Sequence, residues 1–120
     1  MTTAINIKDK LSKFSSHWDP HIIAELDNYD IKLTKLLGDF VFHSHADEDE
    51  LFLVIKGRFR MDYEDRSQWI EEGEMVVVPK GVVHKPHSPE ECHVLLIEKQ
   101  GLINTGESND ARRVETPKKL

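Results

Sequence analysis

At 120 residues the chain is sized for one domain, residues 1–120, and can bury a core without a disulfide or a structural zinc. Its formal net charge of −6, with no basic stripe, argues against nucleic acid and anionic membrane surfaces as partners. One cysteine, Cys92, leaves no intramolecular disulfide to form, so a reducing cytoplasm is the expected location. The first residues show no basic segment leading into an apolar one, so no signal peptide is expected. The longest apolar run, residues 51–55, falls far short of a membrane span.

Taken in chain order, residues 5–14 place Ile7, Leu11 and Phe14 at helical spacing, which predicts one short amphipathic helix with Asn6 as its cap. Asp19-Pro20 breaks the backbone. Residues 21–27 and 31–37 read as two strands joined by the turn Asn28-Tyr29-Asp30. Residues 40–45 are expected as the next strand, followed by 50–56 and, after Gly57, by 58–63. Glu64-Asp65-Arg66 turns the chain into 68–71, and Glu72-Gly73 leads to 75–78. Pro79-Lys80-Gly81 interrupts, 82–85 resumes, 86–91 is expected to loop, and 93–98 is the last strand. Many short strands with Gly and Pro between them indicate an all-β sandwich or small barrel.

Leu51-Phe52-Leu53-Val54-Ile55 does not alternate, so both faces of that strand need cover. One face can line a barrel. The other calls for a second subunit, which favours a homodimer, or for the N-terminal segment of the same chain. The tail from 107 to 120 is polar enough to be disordered unless it packs along its own barrel or a neighbouring subunit.

His43-Ser44-His45 carries the chemistry. Strand residues two apart face one side, so His43 and His45 project together. Glu50 can return to that side from the next strand, and His84 follows Pro79-Lys80-Gly81 in a second apolar region. Three imidazoles and one carboxylate make a transition-metal site where the fold gathers them. Asp47, Glu48 and Asp49 compete with Glu50 as the acidic ligand.

Gly38, His43, His45, Glu50 and Gly57 resemble the first motif of the cupin superfamily, Gly-x5-His-x-His-x3-4-Glu-x6-Gly. Gly73, Pro79, Gly81 and His84 resemble the second, Gly-x5-Pro-x-Gly-x2-His-x3-Asn. Gly38 stands one residue nearer His43 than the pattern has it, and Ser88 replaces the Asn. The resemblance implies a double-stranded β-helix, or jelly-roll, barrel with a metal near one mouth on His43, His45, Glu50 and His84. Spacing to Gly57 and alternation with Phe52 and Val54 favour Glu50 over its acidic neighbours. The motif pair is also similar to proteins labelled mannose-6-phosphate isomerase-like.

The expected cofactor is a divalent transition metal, with Fe, Mn, Ni, Zn and Cu all compatible with this donor set. Four protein ligands leave two octahedral positions for a small-molecule substrate, as dioxygenase, lyase or isomerase chemistry requires. A metal-loaded binding or sensor module without turnover is the alternative. Only Arg58, Arg60 and Lys85 are candidates to grip a phosphate. No catalytic acid or base is identified; Tyr63 and Glu98 lie on strands of uncertain facing. His17, His21 and His93 read as ordinary polar positions, His87 as a surface residue or a support to the ligands rather than a ligand itself, Cys92 as a small buried residue, and Trp18 and Trp69 as packing.

Overall fold

A computed structural model describes residues 2–106 and 108–120. The helix α1 covers Ile7–Leu11, shorter than the expected 5–14. Asn6 caps it, its Oδ1 accepting from the Asp9 N–H at 2.8 Å. So short a helix is held by packing rather than by propensity. Phe14, beyond its end, still joins Ile7 and Leu11 against the barrel wall.

Strands β1 (His21–Leu26) and β2 (Tyr29–Asp39) form a hairpin with Leu26 opposite Tyr29. The connection is the pair Asp27-Asn28, one residue earlier and one shorter than expected. Asp27 has φ 51°, a left-handed conformation that Asp tolerates better than most residues. The remaining strands are β3 (Glu50–Lys56), β4 (Phe59–Tyr63), β5 (Ser67–Ile70), β6 (Met75–Val78), β7 (His84–Lys99) and β8 (Lys118–Lys119).

Strand β7 joins the two walls of a jelly roll. Its first residues pair antiparallel with β4, and its later ones pair with β2 on one side and β3 on the other. β3 also pairs with β6, and β4 with β5. Alternation sorts the side chains. Phe52 and Val54 of β3, Val94 and Leu96 of β7, and Leu36 of β2 enter the inner core with Phe59 and Met61. The intervening Leu53, Ile55, Leu95, Ile97, Ile31 and Leu33 form an outer cluster.

Two expectations are corrected. Residues 40–45 are not a strand: only His43 pairs, with His84, through two backbone hydrogen bonds of 3.0 and 2.9 Å. Phe40 donates to the Pro86 carbonyl at 3.0 Å, but Pro86 has no N–H to return, so no regular ladder forms there. Conversely, 86–91 is not a loop but part of the 16-residue β7. The register shift opposite Leu36 and Gly38 takes up Pro89, Glu90 and Glu91 as a bulge, which spares the ladder from breaking.

The outer face of β3 is covered in part by α1, which packs on Leu53 and Ile55. On neighbouring β6, Met75 and Val77 remain 63% and 50% exposed. The tail does pack along its own barrel. β8 runs parallel to β1, and the Leu120 N–H donates to the Ile22 carbonyl at 2.8 Å. Glu107, the first residue of that tail, lies outside the described residues. Leu102 and Thr105 are buried. Gly106, at φ 58°, lies on the Ser44 backbone, where any Cβ would collide with the Ser44 carbonyl.

Candidate metal centre

The fold gathers His43, His45, Glu50 and His84, all buried, with one donor atom from each within 4.8 Å of the others. They arrive by different routes. His43 is fixed by its bridge to His84 at the start of β7. His45 is held by its carbonyl, which accepts from the Gly81 N–H at 2.8 Å. Glu50 opens β3 and points inward in phase with Phe52 and Val54. Its acidic rivals are otherwise occupied or turned out: Asp47 and Asp49 are exposed, and Asp49 accepts from the Lys80 N–H at 2.9 Å.

The ring orientations suit an ion. His43 and His84 each donate Nδ1–H to a carbonyl two residues back, Val41 and Val82, both at 2.9 Å. That fixes the tautomer and leaves each Nε2 with a free lone pair. His84 Nε2 lies 3.2 Å and His45 Nε2 3.4 Å from Glu50 Oε1. His45 Nε2 is buried without a partner of hydrogen-bond geometry. An unpartnered imidazole nitrogen in the interior is costly, and a cation among these atoms would satisfy it. The cluster suits a divalent metal on this ground and on its donor chemistry.

The electrostatics agree. Burial, then the neighbouring His84, pushes the His43 imidazole down to about 4, so it is neutral and ready to ligate. Burial would raise the Glu50 carboxyl, but close contact with His45, His84 and Glu98 outweighs it and holds Glu50 well below the usual carboxylate range. Glu98 goes the other way: burial and the Glu50 charge push it up, with Lys32 opposing.

Glu98 and Lys32 extend the cluster into the barrel. Glu50 and Glu98 are directly opposite on β3 and β7. Lys32 Nζ donates to Glu98 Oε1 at 2.8 Å, and both side chains are 1% exposed. Glu98 was a candidate whose facing the sequence left open; it faces inward. Lys32 was missed. Its signal was parity: in Ile31-Lys32-Leu33-Thr34-Lys35-Leu36 it shares the face of Leu36, which is core.

A cavity of about 30 Å³ adjoins the cluster. His43 and Glu50 form one wall, with Trp18, Phe40, Phe52 and Leu96 among the apolar walls, Thr34 on β2, and Asn104 from the C-terminal segment. No Lys or Arg lines it among the described residues. The three basic candidates lie elsewhere: Arg58 stacks on Trp69 at 3.9 Å, Arg60 pairs with Asp62 at 2.6 Å, and Lys85 with Asp39 at 3.3 Å.

Residues 37–98 match the sequence profile of the Cupin domain, just over half of the chain. The chain belongs to the cupin family. A cupin-2 domain protein from Shewanella frigidimarina, known from its crystal structure, is 47% identical, with 80% of this chain and 94% of that one covered and a TM-score of 0.79. The uncharacterized protein YdbB of Bacillus subtilis is 29% identical over 73% of each chain. Acireductone dioxygenase 4 of Oryza sativa is 33% identical over 66 residues, 51% of this cupin but only 34% of that enzyme.

The other histidines stay outside the cluster. His87 donates Nδ1–H to Asp39 Oδ1 at 2.7 Å on the outer surface. His17 and His93 flank Glu91 at 2.8 Å each and hold its carboxyl at about 2. His21 donates Nδ1–H to the Asp19 carbonyl at 2.7 Å and stacks on Phe14. The buried Cys92 thiol is pushed up to about 12, chiefly by burial, and is inert. Ser88, in the place of the motif's Asn, bonds the Glu90 carbonyl through its hydroxyl.

Proposed function

We propose that this cupin is a small metal-dependent enzyme that holds one divalent transition ion on His43, His45, Glu50 and His84. Its substrate is a small, largely apolar organic molecule. The observation that carries this reading is the four-residue donor cluster, two of whose members, His43 and Glu50, also line a largely apolar cavity. A wall of Trp18, Phe40, Phe52 and Leu96 offers no cation, which disfavours phosphosugars and the mannose-6-phosphate isomerase-like label.

A divalent ion bound here supplies Lewis-acid or dioxygen chemistry at the positions its four protein ligands leave open. The chain's own work is positioning. The Val41 and Val82 carbonyls orient two imidazoles, and Lys32 holds Glu98 in place behind Glu50 through its hydrogen bond. The acireductone dioxygenase relative supports dioxygenase chemistry over lyase or isomerase chemistry. We take residues 1–120 as one cupin domain acting in the cytoplasm. The exposed Met75 and Val77, continuous with the half-buried Leu51, favour a homodimer through this sheet.

The test is elemental analysis after reconstitution with competing Fe, Mn, Ni, Zn and Cu, followed by oxygen-consumption assays on small aliphatic and aromatic substrates. About one equivalent of metal is expected, with near-complete loss in His45→Ala. Protein without stoichiometric metal, or His45→Ala with unchanged content, overturns the site. One observation favours a second reading, a binding module without turnover. Both named acid–base candidates are committed: the Tyr63 hydroxyl accepts from Gln68 at 3.1 Å, and Glu98 is paired with Lys32. Specific ligand binding with no product across the panel would select that reading.

A further inference from the structure

Among the described residues, and leaving aside the His43 Nε2 that faces the donor cluster, the side-chain polar atoms lining the cavity have partners with one exception. His43 Nδ1 donates to Val41, and Trp18 Nε1 donates to the Leu37 carbonyl at 2.9 Å. Asn104 Nδ2 donates to the Trp18 and Arg112 carbonyls at 3.3 and 2.9 Å, and its Oδ1 accepts from the Val114 N–H at 2.7 Å. Glu50 is turned to the imidazoles. The Thr34 hydroxyl alone remains: the residue is 4% exposed, and Oγ1 has no partner.

An orphaned hydroxyl inside a barrel is a standing cost. Thr34 sits on the inward face of β2 between Lys32 and Leu36, where Val would fill the same space without a polar atom. Thr34 is also one of the residues that line the cavity shared with His43 and Glu50. The lining thus holds two polar features, the His43–Glu50 edge of the donor cluster and one residue with a neutral, unpartnered hydroxyl, among mostly apolar side chains.

We propose that Thr34 is a specificity-determining residue that hydrogen-bonds the far end of the substrate. The substrate is accordingly a small molecule with an oxygen donor at its metal-bound end, a short apolar body, and an uncharged hydroxyl or carbonyl at the other end. An anionic far end is disfavoured because no Lys or Arg lines the cavity among the described residues, and the unpartnered Thr34 hydroxyl suits a neutral group. The part that reaches past the metal is about two or three heavy atoms long, as a cavity of about 30 Å³ requires. This inference rests on the metal-centred reading above and adds the substrate's distal group to it.

Two hydroxamates test it, because their head groups chelate a metal with two open positions. Butyrohydroxamate and 3-hydroxypropionohydroxamate differ only in a terminal methyl or hydroxyl. Titrated calorimetrically into the zinc-loaded full chain, the hydroxyl-ended probe is expected to bind about five-fold more tightly, the effect of one buried neutral hydrogen bond. Thr34→Ser keeps the preference and Thr34→Val abolishes it, while Thr34→Val unfolds at the same temperature or higher because it removes an unsatisfied group. Equal binding of the two probes by the wild type, or a preference that survives in Thr34→Val, overturns the role of Thr34 and leaves the metal reading standing. Failure of both probes to bind zinc-loaded protein overturns the open-position reading and this inference together, as does failure of zinc to bind.

Discussion

The two ends of the barrel interior are built from the same strands and obey opposite rules. The inward positions of β3 and β7 run Glu50–Phe52–Val54 and Glu98–Leu96–Val94, and β2 sets Lys32 opposite Leu96, Thr34 opposite Val94 and Leu36 opposite Cys92. One end gathers carboxylates, imidazoles and a lysine; the other is filled by Phe59, Met61, Ile70 and Cys92. Alternation decides only that a residue faces inward. The row it occupies decides what facing inward is for. The apolar end follows close packing, while the polar end keeps desolvated charge that a hydrophobic substitute would often replace without loss of stability.

The contrast can be broken by mutation. The largest effect is expected at Phe59, fully buried in the apolar end: Phe59→Ala should cost about 4 kcal/mol in denaturant unfolding. Next is Lys32→Met, which strands Glu98 in the interior and should cost about 3 kcal/mol. The double variant Lys32→Met/Glu98→Leu should recover most of that loss. If the double variant is as unstable as the single, the polar end packs by the rules of the apolar one and the contrast fails.

The smallest effect is read by pH on metal-free protein. His43 is depressed to about 4 in the folded state, against 6.5 in the unfolded chain. Between those values the unfolded state binds more protons, so stability is fully present above 6.5 and declines as pH falls towards 4. The decline should reach about 2 kcal/mol by pH 5. His43→Gln should flatten that part of the curve, measured as thermal midpoint against pH; an unchanged slope would place the proton uptake elsewhere.

Much of this was legible beforehand, for identifiable reasons. His43, His45, Glu50 and His84 could be read because the ligand spacing survives in the linear chain, and the strand edges of 50–56 and 75–78 because hydrophobic runs mark them. The prolines misled. Pro86 and Pro89 look like breakers, yet a bulge absorbs one and the other sits where no N–H is required. Residues 40–45 look like a strand by composition, but Pro86, opposite Phe40, has no N–H to return, and only His43 pairs. Lys32 and Thr34 escaped notice because a polar residue on an inward face looks locally the same as one on an outward face. Parity with Leu36 hints at the inward face, and the register across β2, β7 and β3 fixes it.

The 16-residue β7 has a consequence for how the protein is made. It supplies His84 itself, anchors His43 by backbone pairing, and lies opposite Glu50 through Glu98. A nascent chain that stops before this strand holds two histidines and a glutamate on segments with nothing to gather them, and the pairings that do so span more than 40 residues. On the proposed reading the four donors would come together only once this last long strand has closed the barrel, so metal uptake would follow folding rather than guide its early steps.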